Sequence, residues 1–168
     1  SKRVFDKTID CFVNGDCKKY KNDKEMKRSY EDIEENIETK YFYEYSRNFI
    51  KENKYEVISV NESDYESVLK VNVIYSSYKN IPPVEYAILS ENAVLELKEE
   101  EKTLAGLEYL NILSTKIYNG MKAKIVLKTK TIDVYMDKKD DLWDIESGER
   151  NNEFLNILLS YLGGEYIE

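Results

Sequence analysis

The last third of the chain restricts its fold more than any other stretch. Lys122 to Asp137 reads as a long strand, and Asp137-Lys138-Lys139-Asp140-Asp141 as a tight polar turn. Leu142-Trp143-Asp144-Ile145-Glu146 reads as the returning strand. Asn151 to Leu162 then forms a helix with one apolar face, stopped at Gly163-Gly164. A turn this short can join only antiparallel neighbours, so this segment predicts a hairpin covered by a terminal helix.

The rest of the chain extends that pattern. A first helix is predicted from about Arg3 to Val13, with Phe5, Ile9 and Phe12 on one face, and Gly15 closes it. A second helical region reaches about Lys51, its stripe formed by Met26, Tyr30, Ile33, Ile37, Tyr41, Tyr45 and Phe49, with Glu31, Asp32, Glu34, Glu35 and Glu38 off it. Tyr55 to Asn61 and Tyr65 to Tyr78 read as two strands, with Leu69, Val71, Val73 and Tyr75 turned toward a core. Asn80-Ile81-Pro82-Pro83 breaks the sheet, and a helical pattern starts at about Val84 and runs to Asn119. Tyr86, Leu89, Ala93 and Leu97 share one line, continued by Leu104, Leu107, Leu110 and Ile117. The run Lys98-Glu99-Glu100-Glu101-Lys102 is either a solvated turn of one helix or a break between two. The expected class is α+β, a single domain over 1–168, with order α-α-β-β-α-β-β-α and helices on an antiparallel sheet.

Composition excludes several chemistries. The 25 basic and 33 acidic residues give a net charge of −8, which argues against a nucleic-acid partner. Lys122, Lys124, Lys128 and Lys130 are a local exception, read as a solvated or edge strand guarded by lysines. Histidine is absent, which removes Ser-His-Asp and Cys-His catalysis and His-bearing zinc sites. The longest apolar run is the four residues Tyr86-Ala87-Ile88-Leu89, whereas a membrane span needs about 20. Ser1-Lys2-Arg3 leads straight into helix, so any export segment would lie upstream.

Cys11 and Cys17 on one continuous helix would stand about 9 Å apart along the axis, beyond the roughly 7 Å limit of a disulfide. Asn14-Gly15-Asp16 between them is a helix-stop and N-cap signal, so a bridge across a turn is one reading. Two separate buried thiols is the preferred one.

Candidate sites are few. Asp137, Asp140, Asp141 and Asp144 lack the ligand order of a calcium loop and read as a charged turn. Trp143 reads as a core anchor, with a stacking surface at a cavity mouth as the alternative. Asp133, between Ile132 and Val134, is the best acid/base candidate if it points inward, although alternation turns it outward. Tyr41, Tyr43, Tyr45, Tyr55, Tyr75 and Tyr78 either line an amphipathic pocket or are core rings with hydroxyls near the surface. No catalytic residue, metal ligand or cofactor is assigned.

Phe12-Val13-Asn14-Gly15-Asp16 is similar to the phrase that ends the first helix in the NTF2-like (cystatin-like) superfamily, and Leu142-Trp143-Asp144-Ile145 resembles its closing Trp-x-Ile strand. The chain looks closest to exported lipoproteins of low-GC Gram-positive bacteria. That resemblance implies a curved sheet wrapped into a cone, an extracytoplasmic, cell-surface address and an upstream lipid anchor. The expected function is then non-enzymatic, binding a small ligand or a partner protein at the cell envelope. The alternatives are a carboxylate- or tyrosine-based isomerase or dehydratase, and a structural module that presents the acidic Glu31–Glu38 face or forms a homodimer.

Overall fold

The computed structural model describes residues 1–100 and 106–162. Strands β1 (Lys54–Glu62), β2 (Glu66–Ser77), β3 (Val126–Lys139) and β4 (Leu142–Ile145) form one antiparallel sheet in the order β1-β2-β3-β4. Strict alternation along β2 buries Leu69, Val71 and Val73 and leaves Lys70 and Ile74 outside. Register carries the same face into β3, where Val134 lies opposite Leu69 and Ile132 opposite Val71. A bulge between Val57 and Ser59 shifts β1 by one residue and leaves Ile58 half exposed. The β3–β4 connection is a two-residue turn, with Asp140 at φ 51° and Asp141 at φ 62°, the left-handed pair of a type I′ hairpin.

Helix α1 (Lys2–Ile9) lies across the buried face and touches both edge strands, β1 and β4. The sheet therefore curls about α1, but β1 and β4 do not pair and the curl stays open. Val4 and Phe5 of α1 join Leu69, Val71, Ile132 and Val134 in a first core, closed by Met26, Ile33 and Phe154. Phe154 belongs to α6 (Asn152–Leu158).

A second core lies beyond the C-terminal end of β2. Helices α3 (Ile37–Ile50), α4 (Pro83–Glu99) and α5 (Gly106–Met121) pack Phe49, Ile81, Ala93, Ile117 and Met121 around Tyr78 and Tyr161. Ile9, Phe12, Tyr55 and Leu158 touch both cores and weld them together. The strand pairs and their antiparallel order match the sequence expectation.

The helical regions depart from it. The region between Cys17 and Lys51 is broken into short 3-10 turns, the single turn α2 (Lys27–Tyr30), a wide π turn (Glu31–Glu35) and then α3. Asn36 causes the break: it leaves helical backbone and its Oδ1 accepts from the Glu38 and Thr39 N–H groups, starting a new helix. The stripe consequently loses phase, with Ile33 buried and Ile37 62% exposed. The Val84–Asn119 pattern is two helices, the second of the two readings of its charged run, and Leu104, Glu101 and Lys102 lie outside the described residues. Lys122–Lys124 is a 3-10 turn rather than strand. The terminal helix is shorter than expected, passing into a 3-10 turn at Ser160–Leu162, and Gly163-Gly164 lie outside the described residues.

The cysteine reading is also corrected, because Cys11 and Cys17 form a disulfide. Asp10–Asn14 is a π turn and Gly15 takes a left-handed φ of 74°, so the chain doubles back. Their Cα atoms end 4.2 Å apart, a separation no continuous helix allows.

Candidate functional site

An open groove of about 710 Å³ runs along α1. Its floor is apolar, with Phe5 and Ile9 of α1 against Tyr55 of β1. Its lip is charged. The disulfide-clipped return of the chain after Gly15 brings Tyr20, Asp23 and Glu25 beside α1.

The lining cations Lys2, Arg3 and Lys7 each hold an anion, as does Lys19 beside the groove. Lys7 lies between Asp23 and Glu25, the latter at 3.1 Å, and Arg3 donates to Glu25 at 2.5 Å. Lys19 pairs with Asp10, which also accepts from Asn14 Nδ2 and from the Tyr20 hydroxyl, both at 2.8 Å. Lys2 pairs with Asp6 at 2.5 Å.

The proton affinities follow from this pairing. Hydrogen bonding to Lys7 pulls the Asp23 carboxyl down, and the Asp23 bond in turn pushes the Lys7 ammonium up. Burial opposes ionisation of Asp10 and Glu25, yet their bonded partners win and both fall below the usual carboxylate range. Burial, helped by Asp10, holds the Tyr20 hydroxyl protonated. Every shift deepens the state the group already has at neutral pH, so none is poised to exchange a proton there. The groove can hold a molecule by contact and hydrogen bonding.

The sequence candidates lie elsewhere and apart. Asp133 is exposed on the outer sheet face, away from the core. Trp143 is only half buried, at the rim of the first core, and the Lys138 ammonium covers its ring at 5.7 Å. Asp140 and Asp141 form the hairpin turn, Asp144 accepts from Arg28 at 2.8 Å, and Asp137 faces Arg150 at 3.8 Å. Among the described residues no group of three potential ligands is placed to hold a metal ion. Lys124 pairs with Glu85 at 2.6 Å and Lys130 with Glu153, so that lysine cluster is partly neutralised.

Of the candidate tyrosines, Tyr43 and Tyr75 pack on the first core, Tyr45 and Tyr78 on the second, and Tyr55 on both. The Tyr78 hydroxyl donates to the Phe49 carbonyl, and the Tyr45 and Tyr86 hydroxyls meet at 2.5 Å. Tyr43 packs edge-on against Phe12, Tyr75 packs against the first core, and Tyr41 is exposed. Burial pushes the Tyr43 hydroxyl up to about 12 and raises Tyr45, Tyr55 and Tyr78 further. These are core rings holding their protons, and only Tyr55 reaches the groove.

Sequence reasoning missed the Lys7, Asp23 and Glu25 cluster, whose members come together only because the chain turns back at Gly15. Asn14-Gly15-Asp16 was the available signal. No helix among the described residues is long and apolar enough to cross a membrane.

No protein-family model matches the chain, and neither does any curated protein. Among solved structures it is similar to a "putative lipoprotein" (ycdA) of Bacillus subtilis, at 17% identity and a TM-score of 0.37. The match covers 92% of this chain and 44% of that protein, so the chain spans less than half the length of its structural neighbour; at that score the likeness supports neither a shared fold nor a shared function.

Proposed function

We propose that this is a non-enzymatic, extracytoplasmic, cell-surface-associated domain that works by binding a partner protein on its exterior, its sheet curled about α1 as an open NTF2-like half cone. The observation that carries the reading is the filled concave side of the sheet. Phe5, Met26, Leu69, Val71, Val134 and Met136 are all at most 1% exposed there, leaving no room among these described residues for a small ligand. The paired carboxylates and protonated tyrosines favour a role without proton transfer. The Cys11–Cys17 disulfide favours an oxidising compartment, since cytosolic reductants keep such thiols reduced.

Two measurements test this. Protein isolated without reductant from the cell-surface fraction should show no titratable thiol until it is denatured and reduced; two free thiols would overturn the address. A thermal-shift screen of small polar and apolar compounds should leave the melting temperature unchanged, and a saturable rise with any compound would overturn surface recognition in favour of a small ligand.

A further inference from the structure

Helix α4 is apolar on two opposite sides. One side is spent inside: Ala93 and Leu97 are buried, Leu89 packs on Gly120, and Tyr86 bonds Tyr45. The other side has no cover among the described residues. Val84 is 65% exposed, Ile88 53% and Leu95 49%, and Ala87 is exposed beside them. Spacings of four and seven residues put Val84, Ile88 and Leu95 in one line about 16 Å long. A surface helix of a folded domain ordinarily keeps that side polar, and one that is apolar all round is ordinarily buried.

The charges around this line are mostly acidic, with exposed Lys98 the base beside it among the described residues of α4. Glu85 is tied to Lys124 at 2.6 Å and Glu96 to Lys116 at 3.1 Å, but Glu91 and Glu99 make no ion pair among the described residues. Glu91 lies within the line itself, between Ile88 and Leu95. A second copy of this chain fits poorly. Packed antiparallel about a twofold axis at the middle of the line, α4 would set Val84 against Leu95 but press Glu91 onto Ile88, within a turn of the partner copy's own Glu91. Packed parallel, it would set Glu91 directly on Glu91. Each chain adds a net charge of −8 to that repulsion.

We infer that the Val84–Ile88–Leu95 face of α4 is a docking site for an amphipathic helix of a partner protein, with apolar residues along one line and lysines or arginines flanking it. Such a helix lays its apolar line along α4 and brings its cations to Glu91 and Glu99. The inference rests on the reading of the domain as a partner-binding module and names the surface and chemistry of that contact.

The test uses dye-labelled amphipathic helical peptides with leucines at three- and four-residue spacing, one flanked by lysines and one by glutamates, titrated into the whole chain. Saturable binding is expected for the lysine-flanked peptide only, weakening as salt is raised. Ile88→Glu should lower that affinity about tenfold or more. Glu91→Lys should weaken it and allow the glutamate-flanked peptide to bind. Both positions are exposed, so the melting temperature of each variant reports that the fold is kept. Equal binding of both peptides, or binding untouched by Ile88→Glu, would overturn the α4 assignment while leaving surface recognition standing elsewhere. A concentration-dependent dimer in sedimentation, abolished by Ile88→Glu, would give the face to a second copy instead. Flotation with phosphatidylcholine vesicles, abolished by the same change, would give it to a lipid surface. A small compound that raises the melting temperature would instead remove the module reading beneath the inference.

Discussion

The Asn151 side chain acts as a partner for the backbone of Tyr135. Its Oδ1 accepts the Tyr135 N–H at 2.9 Å, and its Nδ2 donates to the Tyr135 carbonyl at 2.9 Å and to the Glu146 carbonyl at 2.7 Å. Strand β4 pairs with β3 only from Met136 to Lys139, and past it the Glu146 N–H still reaches the Tyr135 carbonyl at 3.0 Å, so the amide supplies above all the acceptor that the Tyr135 N–H lacks. Asn151 itself is wholly buried, so its amide depends on these partners.

Replacing Asn151 with Leu should therefore leave two backbone groups, the Tyr135 N–H and the Glu146 carbonyl, without the partner the amide gives them. Each such loss costs on the order of 1–3 kcal/mol, so a total of about 2–4 kcal/mol is expected in urea unfolding. A loss below about 0.5 kcal/mol would show that water or a shifted β4 satisfies Tyr135 instead.

Long-range anchors of this kind explain what the sequence could and could not reveal. The strand pairs were legible because β2 alternates cleanly over Leu69, Val71 and Val73 and because Asp140 and Asp141 tolerate the left-handed turn. The break at Asn36 was not, since the spacing of apolar residues runs through it unbroken from Met26 to Phe49 and spacing does not register a reset of phase. The groove was least legible of all. Lys7 meets Asp23 and Glu25, 16 and 18 positions away, only after a left-handed Gly15 and a disulfide have reversed the chain. Asp133 shows the converse: alternation placed it outward, and it is outward.

The disulfide itself should be stabilising through the unfolded chain. Closing the short loop between Cys11 and Cys17 is worth roughly 2–2.5 kcal/mol by loop entropy. The Cys11→Ser/Cys17→Ser variant should melt about 4–10 °C lower than the oxidised protein. Added reductant should lower the parent by a similar amount and leave the variant unchanged. A reductant effect on the variant would point to some other cause.

Stability should fall at both ends of the pH range. Asp10, Asp23 and Glu25 are depressed in the fold, so their contribution is present above the ordinary carboxylate range near about 4 and is lost as pH drops below it. Lys7 and Tyr43 are raised, so theirs is present below about 10 and is lost as pH climbs past it, Tyr43 completing its loss near about 12. Urea midpoints measured across pH should form a plateau with two falling limbs. Lys7→Met should flatten the acid limb, because Asp23 loses the bond that depresses it; an acid limb identical to the parent would show that other carboxylates carry it.

The hairpin turn offers the opposite sign of effect. Asp140 and Asp141 both hold left-handed backbone, at φ 51° and 62°, and an L residue pays up to about 1–2 kcal/mol for that conformation, less for Asp than for most. Asn at 140 and Gly at 141 suit a type I′ turn better, and the Asp140→Asn/Asp141→Gly pair should raise stability by about 0.5–1 kcal/mol. The ion pair these aspartates make among the described residues, Asp141 with Lys138 at 3.9 Å, is wholly exposed on the Asp141 side and too long to offset that gain. Asp141→Val should move the other way by about 1–2 kcal/mol, since a β-branched side chain crowds the left-handed backbone. Matched urea curves for the parent and both variants give the order directly, and a valine variant as stable as the parent would mean that the turn adopts another conformation in solution.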